Sequence, residues 1–214
     1  MNITSTNLRA RKALLATAVV AGLATLQLAG CAAVLLGSAL GTALLVSDRR
    51  TSGTQIEDQA IELKAVNRVR DVLGASGHVS AVSYNRTVLL TGEVPSDADR
   101  TAIEQTVGKI ENVRGIVNEL ATMGSSSLTA RSNDTILTSK VKATFLDAKD
   151  VQANAFKVVT ERGTVYLMGR VTEREANRGA DLARGVSGVQ KVVRVFDILT
   201  EAELAALGGN EKKN

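Results

Sequence analysis

Cysteine, histidine, proline and aromatic residues are all scarce in this chain. Its 214 residues include one Cys, one His, one Pro, no Trp, two Tyr and three Phe. A lone Cys31 excludes an internal disulfide and a multi-cysteine zinc site. A lone His78 leaves no histidine pair for a metal centre, and no Ser or Cys stands in a recognisable nucleophile motif. Five aromatics are few for stacking on nucleic acid bases. The inventory points away from an enzyme, a resident cofactor and a nucleic acid partner.

Charge is missing from one long stretch. Arg9, Arg11 and Lys12 precede a run from Ala13 to Ser47 that holds no charged residue. A basic stretch followed by an apolar core is the layout of an export signal. Inside the run stands Leu28-Ala29-Gly30-Cys31, a tetrad that looks like a bacterial lipobox. Such a motif implies cleavage before Cys31, diacylglycerol on its thiol and acylation of the new amino group. Ala32 rather than Asp after the cysteine favours outer-membrane sorting. The alternative is an uncleaved spanning helix, for which 35 uncharged residues are long enough. Cleavage would remove three basic residues and lower the net charge from +4 to +1, so the basic balance belongs largely to the signal. Ala32–Val46 reads as a membrane-proximal packing segment or a small-residue tether, and Asp48-Arg49-Arg50-Thr51-Ser52-Gly53 as a polar linker.

Beyond it the chain repeats itself. Thr87-Val88-Leu89-Leu90-Thr91-Gly92-Glu93-Val94 aligns with Thr164-Val165-Tyr166-Leu167-Met168-Gly169-Arg170-Val171, 77 positions later. Ile61, Ala65 and Val69 match Leu137, Val141 and Phe145 at an offset of 76. Each copy reads as a helix with apolar residues four apart, two strands around a tight turn, a second helix and a third strand. The strands fall at Val79–Tyr84, Val88–Val94 and Gly115–Ala121, then Phe156–Thr160, Val165–Val171 and Lys191–Leu199. Glu161-Arg162-Gly163 suggests a three-residue hairpin turn. Ser96 and Thr172 are placed to cap the second helices, and Thr200-Glu201-Ala202-Glu203 to box a short one ending near Gly208. The expected fold class is α+β: two α-β-β-α-β modules, each with two helices on one face of a three-stranded mixed sheet. Contact between copies would help modules too small to bury a large core.

The repeated unit, with its "V-x-L-x-G-x-V" strand and "V-x-x-V" approach to the last strand, resembles the BON domain. Two such units behind a lipobox resemble the dual-BON outer-membrane lipoproteins of the DolP family. Gly53-Thr54-Gln55-Ile56-Glu57-Asp58, Ser132-Asn133-Asp134-Thr135 and Val171-Thr172-Glu173-Arg174-Glu175-Ala176 are especially close to it. The resulting layout is a signal peptide over 1–30, a lipidated linker over 31–56 and a first module over 57–121. A linker over 122–131, rich in Gly and Ser, leads to a second module over 132–199 and a tail over 200–214. The resemblance implies a non-catalytic protein anchored on the periplasmic face of the outer membrane. It also implies binding of anionic phospholipid through the second module, concentration at division sites and support of envelope integrity. Links to the outer-membrane protein assembly machinery and to peptidoglycan amidase regulators come with it.

The residues also suggest a lipid face. Residues 57–120 carry seven basic and ten acidic side chains, net −3, whereas 132–199 carry eleven and eight, net +3. The second module is the better match to an anionic surface. On its first helix Ile136, Ala143 and Leu146, beside Ser139 and Lys140, fall off the core stripe, where the first module has Ala60, Asn67 and Arg70. The second helix is thus expected to carry apolar groups on a face its twin leaves mostly polar, suited to insertion between anionic headgroups. Packing of Ile136 and Leu146 on the other module is the alternative. The family carries an aromatic where Ile136 stands, so weaker or less selective membrane binding is expected. His78 reads as a surface or turn histidine, Glu93 and Arg170 as solvent-facing strand ends, and Gly92 and Gly169 as strand bends.

Overall fold

The structure is a computed structural model that describes residues 48–211; Cys31 and the segment around it lie outside them. The described residues fall in one compact unit. The first module runs α1 (Ser52–Leu73), β1 (His78–Tyr84), β2 (Thr87–Val94), α2 (Asp97–Gly108) and β3 (Gly115–Thr122). The second runs α3 (Leu128–Asp147), a 3-10 turn (Ala153–Ala155), β4 (Lys157–Glu161), β5 (Thr164–Thr172), α4 (Glu173–Arg184) and β6 (Lys191–Leu199). A last helix, α5, spans Glu201–Glu211, three residues past the expected Gly208. Each sheet is mixed, with an antiparallel hairpin and a parallel third strand, in the orders β1-β2-β3 and β4-β5-β6.

Among the described residues every α-helix starts from a side-chain cap, while the 3-10 turn has none. Ser96 Oγ accepts from Asp99 N–H, and Thr172 forms a full capping box with Glu175. Thr200 and Glu203 bond reciprocally ahead of α5. Ile61, Ala65, Val69 and Leu73 of α1 pack on Val88, Leu90, Ile103 and Val107, while Val141 and Phe145 of α3 pack on Phe156, Val165, Leu167 and Ala180.

A third core joins the modules. Tyr84 and Leu89 meet Tyr166 and Met168, with Val82, Val117, Val159 and Val193 around them. The two sheets therefore stack face to face with the helices outside, in four layers. That explains why every residue of β2 from Val88 to Val94 is buried, on both faces of the strand, Thr91 and Glu93 included. Lys157 Nζ on β4 donates to Ser83 O on β1 at 3.1 Å and to Glu62 on α1 at 2.8 Å, so edge strands β1 and β4 lie side by side.

The hairpin turns correct one expectation. Glu161 pairs with Thr164, leaving two loop residues, Arg162 (φ 50°) and Gly163 (φ 70°). Asn85 and Arg86 repeat this with φ 49° and 66°. Both central residues at positive φ define the tight turn whose twist matches a hairpin. The first helix of each module supplies an aspartate to hold it. Asp58 accepts from Asn85 N–H, Arg86 N–H and Ser83 Oγ at 2.8, 2.7 and 2.6 Å. Asp134 accepts from Arg162 N–H and Gly163 N–H at 2.8 and 2.9 Å.

Asp48-Arg49-Arg50 is no linker but a clamp. Arg49 forks onto Glu175 at 2.7 and 2.8 Å and donates to Arg170 O and to Gln152 Oε1. Only 7% of the Arg49 side chain and 6% of Glu175 remain exposed. Arg50 bonds Asp58 at 2.7 Å and Asp48 at 2.6 Å, and its guanidinium lies 4.1 Å from the centre of the Tyr84 ring. One arginine thus grips each module. Ser52 and Gly53 belong to α1.

Glu93 and Arg170 are not the solvent-facing strand ends expected from their positions. Glu93 is fully buried and accepts from Arg162 at 3.0 Å and from Ser126 N–H at 3.1 Å. Half-buried Arg170 lies 3.4 Å from Asp197. Across the seam Glu161 is buried, and one of its carboxylate oxygens has no hydrogen-bond partner among the described residues. Burial, then the charges of Glu93 and Asp134, push its carboxyl up against the opposing pull of Arg162 and Arg131. A raised folded pKa favours the fold fully below the ordinary value and loses that advantage as pH rises through the shifted one. Glu161→Gln is therefore expected to raise the melting temperature at pH 8, the gain vanishing by about pH 4 in a thermal melt.

Candidate functional site

Ser127 Oγ caps α3 by accepting from Ala130 N–H at 3.2 Å, and Asp134, Leu137, Val141 and Phe145 form its buried stripe. At about 100° per residue, Ile136, Ser139, Lys140, Ala143 and Leu146 fall on the opposite side. All five are exposed, Ile136 to 55% and Leu146 to 70%. These exposures exclude the alternative in which Ile136 and Leu146 pack on the other module. From Ile136 to Leu146 the face runs about 15 Å. Ser139 Oγ is tied back to Thr135 O at 3.0 Å, leaving Lys140 as the cation of the face and Asp147 as an acid at its end.

A cleft of about 610 Å³ flanks this face, between α3 and the loop before β6. Ile136 and Leu137 give it an apolar wall, while Lys140, Arg162, Ser187 and Gln190 bring polar groups to it. Sequence spacing placed Ile136 and Lys140 but gave no sign of the loop, which comes near only through the fold.

Part of the second module's basic excess is taken up by acids outside it: Arg162 pairs with Glu93 and Lys157 with Glu62 of the first module, and Arg174 lies 3.8 Å from Glu201 of α5. Among the described residues no carboxylate stands within ion-pair distance of Lys140 or Lys142, so α3 holds uncompensated positive charge.

The contrast expected between the two first helices does not hold. Ala60, Asn67 and Arg70 are where the repeat offset puts them, but α1 exposes Ile56 to 68%, Leu63 to 66% and also Val66. These stand opposite Ser132, Ser139 and Lys142 in the repeat, so matching positions one by one hides a stripe rotated around the helix. Both helices carry exposed apolar groups.

His78 is half-buried at the module seam, where burial and the Arg131 charge hold its imidazole below the ordinary value. Gly92 adopts φ 117°, and a Cβ there would collide with the His78 carbonyl oxygen, so it marks a close strand approach. Among the described residues no cluster of three or more His, Cys, Asp or Glu side chains could hold a metal ion, and no helix is long and apolar enough to cross a membrane.

Two α-β-β-α-β modules stacked through their sheets define the class. The BON domain matches residues 58–123 and 133–200, and the chain belongs to the BON-domain family. It is 43% identical over 180 residues to the outer membrane lipoprotein DolP of Haemophilus influenzae, covering 82% of this chain and 92% of that one. It is 33% identical over 152 residues to a 21 kDa hemolysin of Actinobacillus pleuropneumoniae, covering 70% and 78%. The osmotically-inducible protein Y of Escherichia coli is 28% identical over 144 residues, covering 65% and 72%. The chain is thus a DolP-like homologue of an outer membrane lipoprotein, built from two BON domains.

Proposed function

We propose that the protein is a non-catalytic lipoprotein, held by acylated Cys31 on the periplasmic face of the outer membrane, that binds anionic phospholipid through α3 and supports envelope integrity, notably at division sites. What carries this reading is the α3 face: Ile136, Ala143 and Leu146 in water beside an uncompensated Lys140. Apolar groups edged by a cation suit the boundary between headgroups and acyl chains. Isoleucine fills the apolar part of that role without a polar handle at headgroup level.

The test is co-sedimentation of the Ser47–Asn214 unit with neutral and phosphatidylglycerol-containing vesicles, at low and moderate salt. Binding is expected to the anionic vesicles alone and to weaken with salt. Ile136→Asp and Leu146→Asp should each reduce it about tenfold, the loss of one apolar side chain from the lipid. Saturable binding to one subunit of the outer-membrane assembly machinery or to an amidase regulator, indifferent to lipid charge, would instead make the protein an adaptor.

A further inference from the structure

The exposed stripe of α1 is not used by that reading, and its place in the fold says what covers it. Helix α1 packs on β1, and α3 packs on β4. Lys157, on β4, bonds both Ser83 of β1 and Glu62 of α1. Thr138 of α3 bonds Thr160 of β4 at 2.7 Å. One edge of the sandwich is therefore α1-β1-β4-α3, a helix from each module flanking two edge strands.

The outer sides of both helices turn the same kind of surface to that edge. Starting from Glu62, which points to β4, the next 120° or so of α1 brings Gln55, Val66, Gln59, Arg70 with Ser52, Leu63 and Ile56 in succession. Starting from Thr138, the next 80° or so of α3 brings Lys142, Thr135, Leu146 and Leu128. Leu128 and Leu146 are exposed to 78% and 70%. The cations Arg70 and Lys142 have no described carboxylate at ion-pair distance, and the one acid in the two arcs, Glu62, is paired with Lys157. The edge sets exposed apolar side chains among neutral polar ones and is net positive.

The clamp fixes where the chain from the lipid anchor joins this edge. Arg50 is bonded to Asp58 in the second turn of α1, and Arg49 to Gln152, five residues after α3 ends. The tether thus arrives at one end of the edge. Cys31 and Asp48 stand 17 positions apart, a reach of at most about 60 Å.

We infer that the α1-β1-β4-α3 edge is a bilayer-docking surface, on which Ile56, Leu63 and Val66 of the first module enter the same anionic leaflet as Leu146 and Leu128 of the second. This rests on the membrane-binding reading but moves the contact from one helix face to an edge shared by both modules.

The Ser47–Asn214 unit contains no cysteine, so single cysteines at 63 and 136 can carry an environment-sensitive fluorophore. Binding to phosphatidylglycerol vesicles is measured for the wild type, Leu63→Asp, Leu63→Asp with Val66→Asp, and Ile136→Asp, with thermal melts confirming folding. The expected result is about a tenfold weakening for Leu63→Asp, more for the pair, and a blue shift of the label at 63 on vesicles. Wild-type binding by the Leu63 and Val66 variants, with a label at 63 that stays in water while Ile136→Asp abolishes binding, would overturn the edge and leave α3 alone. That outcome would free the α1 stripe for a protein partner. Loss with the Leu63 variants and none with Ile136→Asp would support the edge against the α3 face. A wild-type unit that binds no vesicle would overturn both.

Discussion

Replacing Arg49 with alanine is expected to destabilise the Ser47–Asn214 unit by about 3–5 kcal/mol, the cost of leaving a buried charge without its partner. The side chains of Arg49 and Glu175 are almost wholly out of water and meet through two parallel bonds, the geometry in which Arg and carboxylate recognise each other best. Glu175 cannot turn away, because the same carboxylate closes the capping box of α4. At about 2–4 °C per kcal/mol for a unit of this size, the melting temperature should fall by roughly 10 °C. The Arg49 bonds, ahead of burial, hold the Glu175 carboxyl below its ordinary value. A depressed pKa contributes stability above the unfolded value that is lost as pH falls through the folded one. The acid limb of the wild-type stability curve should therefore be steeper than that of Arg49→Ala, and the two should converge in strong acid. A Glu175→Gln variant with an unchanged melt would remove the clamp from the account. A fragment starting at Gly53 lacks both arginines and should melt lower than one starting at Ser47.

That clamp is the part of the fold its own residues disclosed least. Asp48-Arg49-Arg50 has the composition of a solvated linker, and only tertiary packing takes it out of water. The module architecture was open to reading because it rests on periodicity: Ile61, Ala65 and Val69 recur as Leu137, Val141 and Phe145, and each strand pair brackets a turn. Even sheet-on-sheet packing left a trace, since Val88-Leu89-Leu90 alternates too little for a strand with one wet face. Glu93 misled because a charged residue at a strand end is usually solvated, and its partner Arg162 lies in the other module. On α3 the exposed set followed from helix geometry alone. On α1 it did not, because positions were compared across the repeat rather than around the helix.

The repeat supplies its own control for the second large effect. Asp58→Ala should destabilise the first module by about 3–5 kcal/mol and Asp134→Ala the second by about 1–3 kcal/mol, although the two residues stand at equivalent positions. Both carboxylates hold a hairpin turn through two backbone N–H groups. Asp58 also accepts from Ser83 Oγ and from Arg50; burial pushes its carboxyl up, but these two bonds together with the Arg86 and Asn85 N–H groups hold it below the ordinary value. Its removal leaves a buried hydroxyl without its acceptor and a guanidinium with Asp48 alone, whereas Asp134→Ala frees only N–H groups near the surface. Chemical denaturation of each single variant and of the double variant measures the difference. If the turn bonds alone mattered, the two losses would be equal. An excess for Asp58 that disappears in the Arg50→Ala background would trace it to the ion pair, and through that pair to the Asp48-Arg49-Arg50 segment that grips both modules.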